Sequence, residues 1–184
     1  MPEGLMKGLL IIDMQAGSFK PPALRFDADH VVKRINSLSN QFRQNGDKVI
    51  FIQHDGTKEN YLFPGTPDWE ILPSLVRCQD DTFVFKSAND SFYGTDLESI
   101  LKKSGINDVY ITGCATDFCV NATIHGALTR NLNVVVVKDC HTTANRPHLD
   151  SKKIIEYHNW LWENLTPTGG VVRTALSHDL LGKV

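Results

Sequence analysis

The chain has no long apolar run and almost no net charge. Its 184 residues include 19 Lys and Arg against 21 Asp and Glu, a net charge of −2. That balance gives no electrostatic attraction to nucleic acid or to an anionic membrane. The apolar runs are also far shorter than the roughly 18 residues that a transmembrane helix needs. We therefore expect neither a nucleic-acid partner nor a membrane partner.

Cysteine is scarce as well. The four cysteines are irregularly spaced and form no CxxC pair, which excludes a disulfide framework and a zinc knuckle. The first residues lack the basic and apolar regions of a secretory signal. Neither repeats nor low-complexity tracts interrupt the chain, whose length suits one domain, 1–184, with a full core. We expect a reduced, cytoplasmic protein.

Apolar segments alternate with segments of helical periodicity along the whole chain. Strands are predicted at residues 7–13, 49–52, 82–86, 108–113, 132–138 and 170–173. Helices are predicted at residues 29–45, 95–105, 119–130, 149–162 and 175–181, the second opened by a capping box at Thr95. This order predicts an α/β fold with three α-β-α layers around a mainly parallel, doubly wound, Rossmann-like sheet.

The first predicted strand is not followed by a glycine-rich G-x-G-x-x-G loop, which argues against a nucleotide-binding domain. Polar reactive residues stand there and at two other strand ends. Asp13 ends the first strand, Lys86 ends the third, and Cys119 follows the fourth. Ligands of doubly wound sheets bind beyond the carboxyl ends of the strands. We expect these three side chains to meet at that edge.

Cys119 is predicted to lie at the amino end of a helix. Free backbone N–H groups and the helix dipole favour a thiolate there, and such thiols can have a pKa between about 3.5 and 7.5. The alternatives are a buried core cysteine, a turn aspartate and a solvated lysine. Together, however, Asp13 can accept the thiol proton and Lys86 can stabilise the charges.

Four segments resemble motifs of the isochorismatase-like cysteine hydrolases, which include nicotinamidases, N-carbamoylsarcosine amidases and isochorismatases. They are LIIDMQ at 10–15, FK at 85–86 with DSF at 90–92 and TDL at 95–97, GCATDFCVNAT at 113–123, and DCHTT at 139–143. The resemblance covers nearly the whole chain and implies the isochorismatase-like hydrolase fold.

The resemblance also implies a mechanism. Asp13 would be the general base, Lys86 would stabilise the charged pair, and Cys119 would attack a carbonyl to form a covalent acyl-enzyme. The backbone N–H groups of Ala115 and Cys119 would form the oxyanion hole, oriented by a cis peptide before Ala115. The expected reaction is hydrolysis of a C–N bond in a small amide, ureide or lactam.

Metal-binding relatives carry an Asp-x-His element and further histidines after the second strand. This chain has Gln53, His54 and Asp55 there, with no second histidine before His125. We therefore predict neither a metal nor another cofactor. The pocket is expected to be built from residues 15–24 and 53–81 together with two phenylalanines.

The side chains predicted to contact the substrate are Gln15, Phe19, His54, Trp69, Phe92 and Phe118. Because they are mostly aromatic and uncharged, they favour a neutral, partly apolar small molecule as substrate. We also expect a homo-oligomer, a dimer or higher, for which Trp160 and Trp162 offer a contact if they are not core residues.

Two further functions stay open. An isochorismatase would cleave a vinyl ether and release pyruvate, and some such enzymes do not depend on the thiol. A non-catalytic small-ligand-binding protein of the same fold is the other alternative.

Overall fold

The computed structural model describes residues 5–22 and 24–182. The predictions for residues 1–4, where a signal sequence would begin, lie outside this part, as does Ala23 of the predicted pocket loop. The strands are β1 Lys7–Ile12, β2 Lys48–His54, β3 Thr82–Lys86, β4 Asp108–Cys114, β5 Asn133–Thr142 and β6 Val172–Ala175. The helices are α1 Ala28–Gln44, α2 Leu97–Lys103, α3 Asn121–Leu128, α4 Ser151–Glu163 and α5 Ser177–Leu180.

The six strands form one sheet in the order β3-β2-β1-β4-β5-β6, and each neighbouring pair is parallel. The order reverses between β1 and β4, so the loops that follow these two strands diverge and leave a crevice. The predicted doubly wound sheet is confirmed.

Helices cover both faces of the sheet. On one face, α1 packs an apolar stripe that includes Val31, Ile35 and Leu38 against β1, β2 and β5. On the other face, α2, α3 and α4 cover a second core that contains Leu101, Ile124 and other buried residues. The four central strands β2, β1, β4 and β5 are therefore buried almost throughout, which explains their long apolar runs, whereas the edge strands β3 and β6 are partly exposed. No helix in the described ranges has the length and apolar character needed to cross a membrane.

Several element ends differ from the prediction, and two of these differences have a clear structural cause. β5 continues to Thr142, because its last residues pair with β4 again beyond an irregularity near Gly113. The capping box does not form, since α2 begins at Leu97 and the Thr95 hydroxyl accepts the Leu97 N–H at 3.3 Å. The Glu98 carboxylate that should have completed the box binds Arg130 instead.

Candidate active site

Asp13, Lys86 and Cys119 lie together at the carboxyl edge of the sheet, beyond β1, β3 and β4. All three are buried, with exposed fractions of 5%, 3% and 8%. The Lys86 Nζ atom lies 2.7 Å from Asp13 Oδ2 and 3.3 Å from Cys119 Sγ. The structure thus brings the three predicted residues into hydrogen-bonding distance around one ammonium group.

Asp13 has an unusual backbone and an unpaired carboxylate oxygen. Its φ of 49° is left-handed, and its N–H donates to Ile52 O at 2.9 Å. Strained φ values of this kind concentrate at functional sites. Oδ2 is bound by Lys86, whereas the buried Oδ1 has no hydrogen-bond partner among the described residues. Asp13 therefore keeps one oxygen that can accept a proton.

Lys86 is held as a cation. Burial by itself would lower its pKa, but the charge of Asp13 and the neighbouring Cys119 outweigh burial and leave the pKa raised. Its Nζ also donates to Ala88 O at 2.9 Å and lies 3.5 Å from His54 Nδ1. These contacts hold the ammonium group inside the site and keep it out of contact with bulk solvent.

His54 connects this ammonium to a carboxylate at the mouth of the site. Its Nε2 lies 3.3 Å from Glu59 Oε2. The imidazole therefore places Nδ1 toward the Lys86 ammonium and Nε2 toward the Glu59 carboxylate. The pair fixes the imidazole against Lys86.

Cys119 lies in a π-helical turn, Thr116–Val120, that continues into α3. The helical segment therefore begins three residues before the predicted start. The peptide bond between Cys114 and Ala115 is cis, as the resemblance implied. Cys119 Sγ also lies 3.5 Å from Asn89 Oδ1. The thiol is thus in the first turn of a helical segment, beside the predicted oxyanion-hole residue Ala115.

The expectation of a resting thiolate is not met. Burial raises the pKa of Cys119, the carboxylate of Asp13 raises it further, and Lys86 only partly offsets these effects. Because the charges of Asp13 and Lys86 largely cancel, little net positive charge is left for the sulfur. The raised pKa favours the protonated thiol, which needs a base to become a nucleophile.

Two buried polar contacts hold the turn that carries Cys119. The Thr116 hydroxyl lies 2.9 Å from His141 Nδ1, and His141 Nε2 lies 3.0 Å from Asn159 Oδ1. Burial lowers the pKa of His141 to about 4, so the ring is neutral. Asn159 uses its amide nitrogen on Lys138 O, so its oxygen accepts from Nε2 and the Thr116 hydroxyl donates to Nδ1.

A further set of contacts fixes the exposed side of the same turn. Asp117 accepts two hydrogen bonds from Arg146, at 2.7 and 3.0 Å, and one from Thr143. Burial would raise the pKa of Asp117, but the Arg146 and Thr143 contacts outweigh it and lower the pKa. The Arg146 guanidinium also covers the Phe118 ring at 4.8 Å. The turn is therefore anchored on both sides.

A cavity of about 390 Å³ opens above Cys119. Its lining comes from the loops that follow β1, β2, β3, β4 and β5. The residues are Asp13, Ser18, Arg25, His54, Glu59, Tyr61, Leu62, Asn89, Cys114, Ala115, Phe118, Cys119 and Arg146. The lining includes Ala115 and two of the six predicted pocket residues, His54 and Phe118.

The other four predicted pocket residues do not line this cavity. Gln15 is fully buried, where its side chain bonds His54 N, His54 O and Trp69 O. Phe92 is a core residue covered by Arg130. Phe19 packs against the core under α1, and the Trp69 ring lies 5.4 Å from the Phe85 ring in a tilted arrangement. These four predicted residues lie outside this cavity, which shows that an aromatic or amide side chain in a loop serves packing as readily as binding.

The cavity is also more charged than the sequence suggested. Arg25, Glu59 and Arg146 contribute charged groups that the aromatic character of the loops did not reveal. Arg146 follows the DCHTT motif closely in sequence, so its place near the site could have been predicted from that motif. Arg25 lies in an irregular segment with no motif, and nothing in the sequence singled it out. The predicted neutral ligand rested on an uncharged pocket, and the observed cavity does not provide one.

No three His, Cys, Asp or Glu side chains in the described ranges come together as a metal site. Both ring nitrogens of His54 already have partners, Lys86 and Glu59. Metal independence stays a prediction.

Comparison with known proteins defines the family. The isochorismatase domain model matches residues 7–176, and the chain belongs to this family. Streptothricin hydrolase of Streptomyces noursei is 30% identical over 142 residues, which are 77% of this chain and 56% of that protein. A second streptothricin hydrolase from the same organism is covered over 51% of its length, so the chain spans about half of these relatives.

Solved structures agree on the fold. A crystal structure of an isochorismatase family protein superposes with a TM-score of 0.82 at 28% identity, covering 86% of this chain and 93% of the other. N-carbamoylsarcosine amidase from Thermoplasma acidophilum gives a TM-score of 0.77 at 22% identity, with 96% and 99% covered. The latter identity is low and supports the fold alone.

Proposed function

We propose that the protein is a cysteine hydrolase that cleaves a C–N bond of a small amide, ureide or lactam through a thioester. Asp13, Lys86 and Cys119 carry the reaction. The observation that carries this proposal is the unpaired Oδ1 of Asp13 in the same buried cluster as the Cys119 thiol and the Lys86 ammonium. The cluster contains a base, a nucleophile and a counter-charge.

The proton and the electron pairs can be followed through the cycle. Asp13 takes the thiol proton as sulfur attacks the carbonyl carbon, and the carbonyl electrons move onto oxygen. The N–H groups of Ala115 and Cys119 hold this oxyanion. Asp13 then gives its proton to the leaving nitrogen, the C–N bond breaks, and a thioester remains. Water, deprotonated by Asp13, releases the acid and restores the thiol.

The raised pKa of Cys119 fits this division of roles. A thiol that is protonated at rest makes the neighbouring base essential, since proton transfer must accompany attack. The names of two relatives, both streptothricin hydrolases, also support hydrolysis. An isochorismatase is the second candidate, because protonation of a vinyl ether by Asp13 would use the same carboxyl group without the thiol.

The test is turnover of wild type and Cys119→Ala on two substrate sets. One is a panel of small amides, ureides and lactams, followed by released ammonia or amine, and the other is isochorismate, followed by pyruvate. We expect amide hydrolysis by Cys119→Ala to fall at least ~10³-fold, because removing the nucleophile disables the whole unit. Cys78→Ala is the matched control, since Cys78 is an exposed cysteine outside the cavity.

Retained turnover by Cys119→Ala on the best substrate would overturn covalent catalysis, and retention on isochorismate would favour the second candidate.

The remaining proposals concern the whole protein. We propose one domain over residues 1–184, a homo-oligomer, a cytoplasmic location and a small-molecule substrate.

A further inference from the structure

Arg25 differs from the other charged side chains of the cavity. Its Nε donates to Ser18 O at 2.9 Å, which orients the guanidinium plane. In the described part of the chain, its two terminal nitrogens have no protein acceptor, and no carboxylate lies within ion-pair distance. The side chain is half-buried in the cavity lining rather than extended into solvent.

The other charged groups of the lining have partners. Asp13 pairs with Lys86 at 2.7 Å, and Arg146 is held by Asp117. The Glu59 carboxylate lies 3.3 Å from His54 Nε2. Each of these charges is therefore already engaged, whereas the charge of Arg25 is available to a ligand.

The charge of Arg25 also reaches the catalytic end of the cavity. Burial raises the pKa of Cys114 to about 11, and Arg25 is the first group that opposes this rise. Arg25 likewise opposes the rise in the pKa of Tyr61, which burial causes first. The charge of Arg25 thus acts both at the floor of the cavity and at Tyr61, where the negative charge of Asp13 opposes it more strongly.

We infer that the substrate carries a carboxylate and that Arg25 binds it. A guanidinium whose Nε is anchored presents its terminal N–H groups as a planar fork, which matches the two oxygens of a carboxylate. A partly desolvated cation without a partner is costly, and an anionic ligand removes that cost. Leu62 and Phe118 supply apolar walls for a short carbon skeleton between the carboxylate and the scissile carbonyl.

This inference rests on the proposed function and narrows it. The substrate class becomes small amides, ureides or lactams that bear a carboxylate. It replaces the neutral, partly apolar ligand that the loop composition suggested.

The first test uses matched substrates that differ only in charge. Succinamate and 4-hydroxybutanamide have the same chain length, and both release ammonia on hydrolysis. The same exchange of carboxylate for hydroxymethyl is applied to the fastest skeleton of the amide panel. We expect wild type to prefer the carboxylate at least tenfold in kcat/KM. Arg25→Gln should bring the ratio near one, chiefly by raising KM for the carboxylate.

Two variants control this test. Arg25→Lys keeps the charge but loses the fork and should retain part of the preference. Arg77→Gln removes the same charge from an exposed arginine outside the cavity and should leave the ratio unchanged. A wild-type ratio near one, or a ratio that survives in Arg25→Gln, would overturn the inference even where amides are hydrolysed well.

The second test needs no turnover. Calorimetric titration compares butanoate with 1-butanol at matched sodium chloride, on wild type, Arg25→Gln and Arg77→Gln. We expect butanoate to bind at least tenfold more tightly than 1-butanol, and Arg25→Gln to lose that difference. If the difference appears while no amide is hydrolysed, the proposed hydrolase function fails and the carboxylate site stands. If butanoate does not bind in preference to 1-butanol, the carboxylate site fails.

Discussion

The thiol of Cys119 lies between a carboxylate and an ammonium group that compensate each other. Burial of the thiol away from water is therefore the dominant effect on its protonation, and the pKa of Cys119 rises. Helix position alone predicted the opposite sign, because the helix dipole and free N–H groups stabilise a thiolate. In a buried site that effect is smaller than desolvation combined with a neighbouring negative charge. Cys119 consequently becomes a nucleophile only when Asp13 accepts the proton of its thiol.

This state predicts the order in which the cysteines react with iodoacetamide. The position in the helix alone would make Cys119 the first cysteine to react near neutral pH. With its raised pKa and 8% exposure, it should instead react after the exposed Cys78. Its alkylation rate should rise about tenfold per pH unit from pH 7 to 9, because only the thiolate reacts. Peptide mass spectrometry of timed samples measures both rates.

Asp13→Asn gives the opposing control. Without the carboxylate charge, the unpaired Lys86 ammonium should favour the thiolate and lower the pKa of Cys119. Alkylation at pH 7 should then become faster, although amide hydrolysis is lost with the base. A wild-type alkylation rate that is already constant across pH 7 to 9 would contradict the raised pKa.

At the scale of elements, the end of β4 controls the site geometry. Gly113 has a φ of 113°, and a Cβ there would lie 2.2 Å from Ile12 O in β1. Only glycine lets the two central strands approach while β4 turns toward Cys119. The same glycine lies at the irregularity where β5 resumes pairing and brings His141 under Thr116.

Gly113→Ala should therefore destabilise the protein strongly. We expect about 1–2 kcal/mol from the unfavourable φ and about 1–3 kcal/mol more from forced packing against β1. Gly46→Ala is the matched control, since Gly46 also has a positive φ of 76° but a Cβ added there would have nothing within 4 Å. Urea unfolding of both variants and wild type measures the difference. Equal losses in the two variants would show that contact with Ile12 does not constrain β4.

The elements also show where sequence reasoning succeeds and fails. Strand ends were predictable because buried parallel strands are continuous apolar runs with clear limits, and Asp13 and Lys86 stand at those limits. The cavity walls were not, because Arg25 and Glu59 lie in irregular segments that lack periodicity. Whether Gln15 faces a ligand or bonds the loop backbone depends on contacts between distant segments, which no local pattern encodes.

For the whole molecule, the strand order explains why residues so far apart in sequence form one site. β1 and β4 are neighbours at the reversal of the sheet, which places Asp13 beside the turn of Cys119. β3 lies two strands from β1, so Lys86 must cross above β2 to reach Asp13, and His54 at the end of β2 contacts it on the way. The alternation of strands and helices predicted that the site lies at the carboxyl edge of the sheet, but it did not predict the contact between His54 and Lys86.

The position of His54 favours the prediction that the site works without a metal ion. Its Nδ1 faces the Lys86 ammonium and its Nε2 faces Glu59, so a cation could bind either nitrogen only by displacing one of these two partners. A divalent ion close to Lys86 would also be repelled by the ammonium charge. We therefore expect full activity after dialysis against EDTA, with no gain on adding zinc, manganese or iron. Elemental analysis of the purified protein should find far less than one metal ion per chain. One tightly bound ion per chain, lost together with activity on chelation and restored with it, would show that His54 and Glu59 are ligands instead of partners of Lys86.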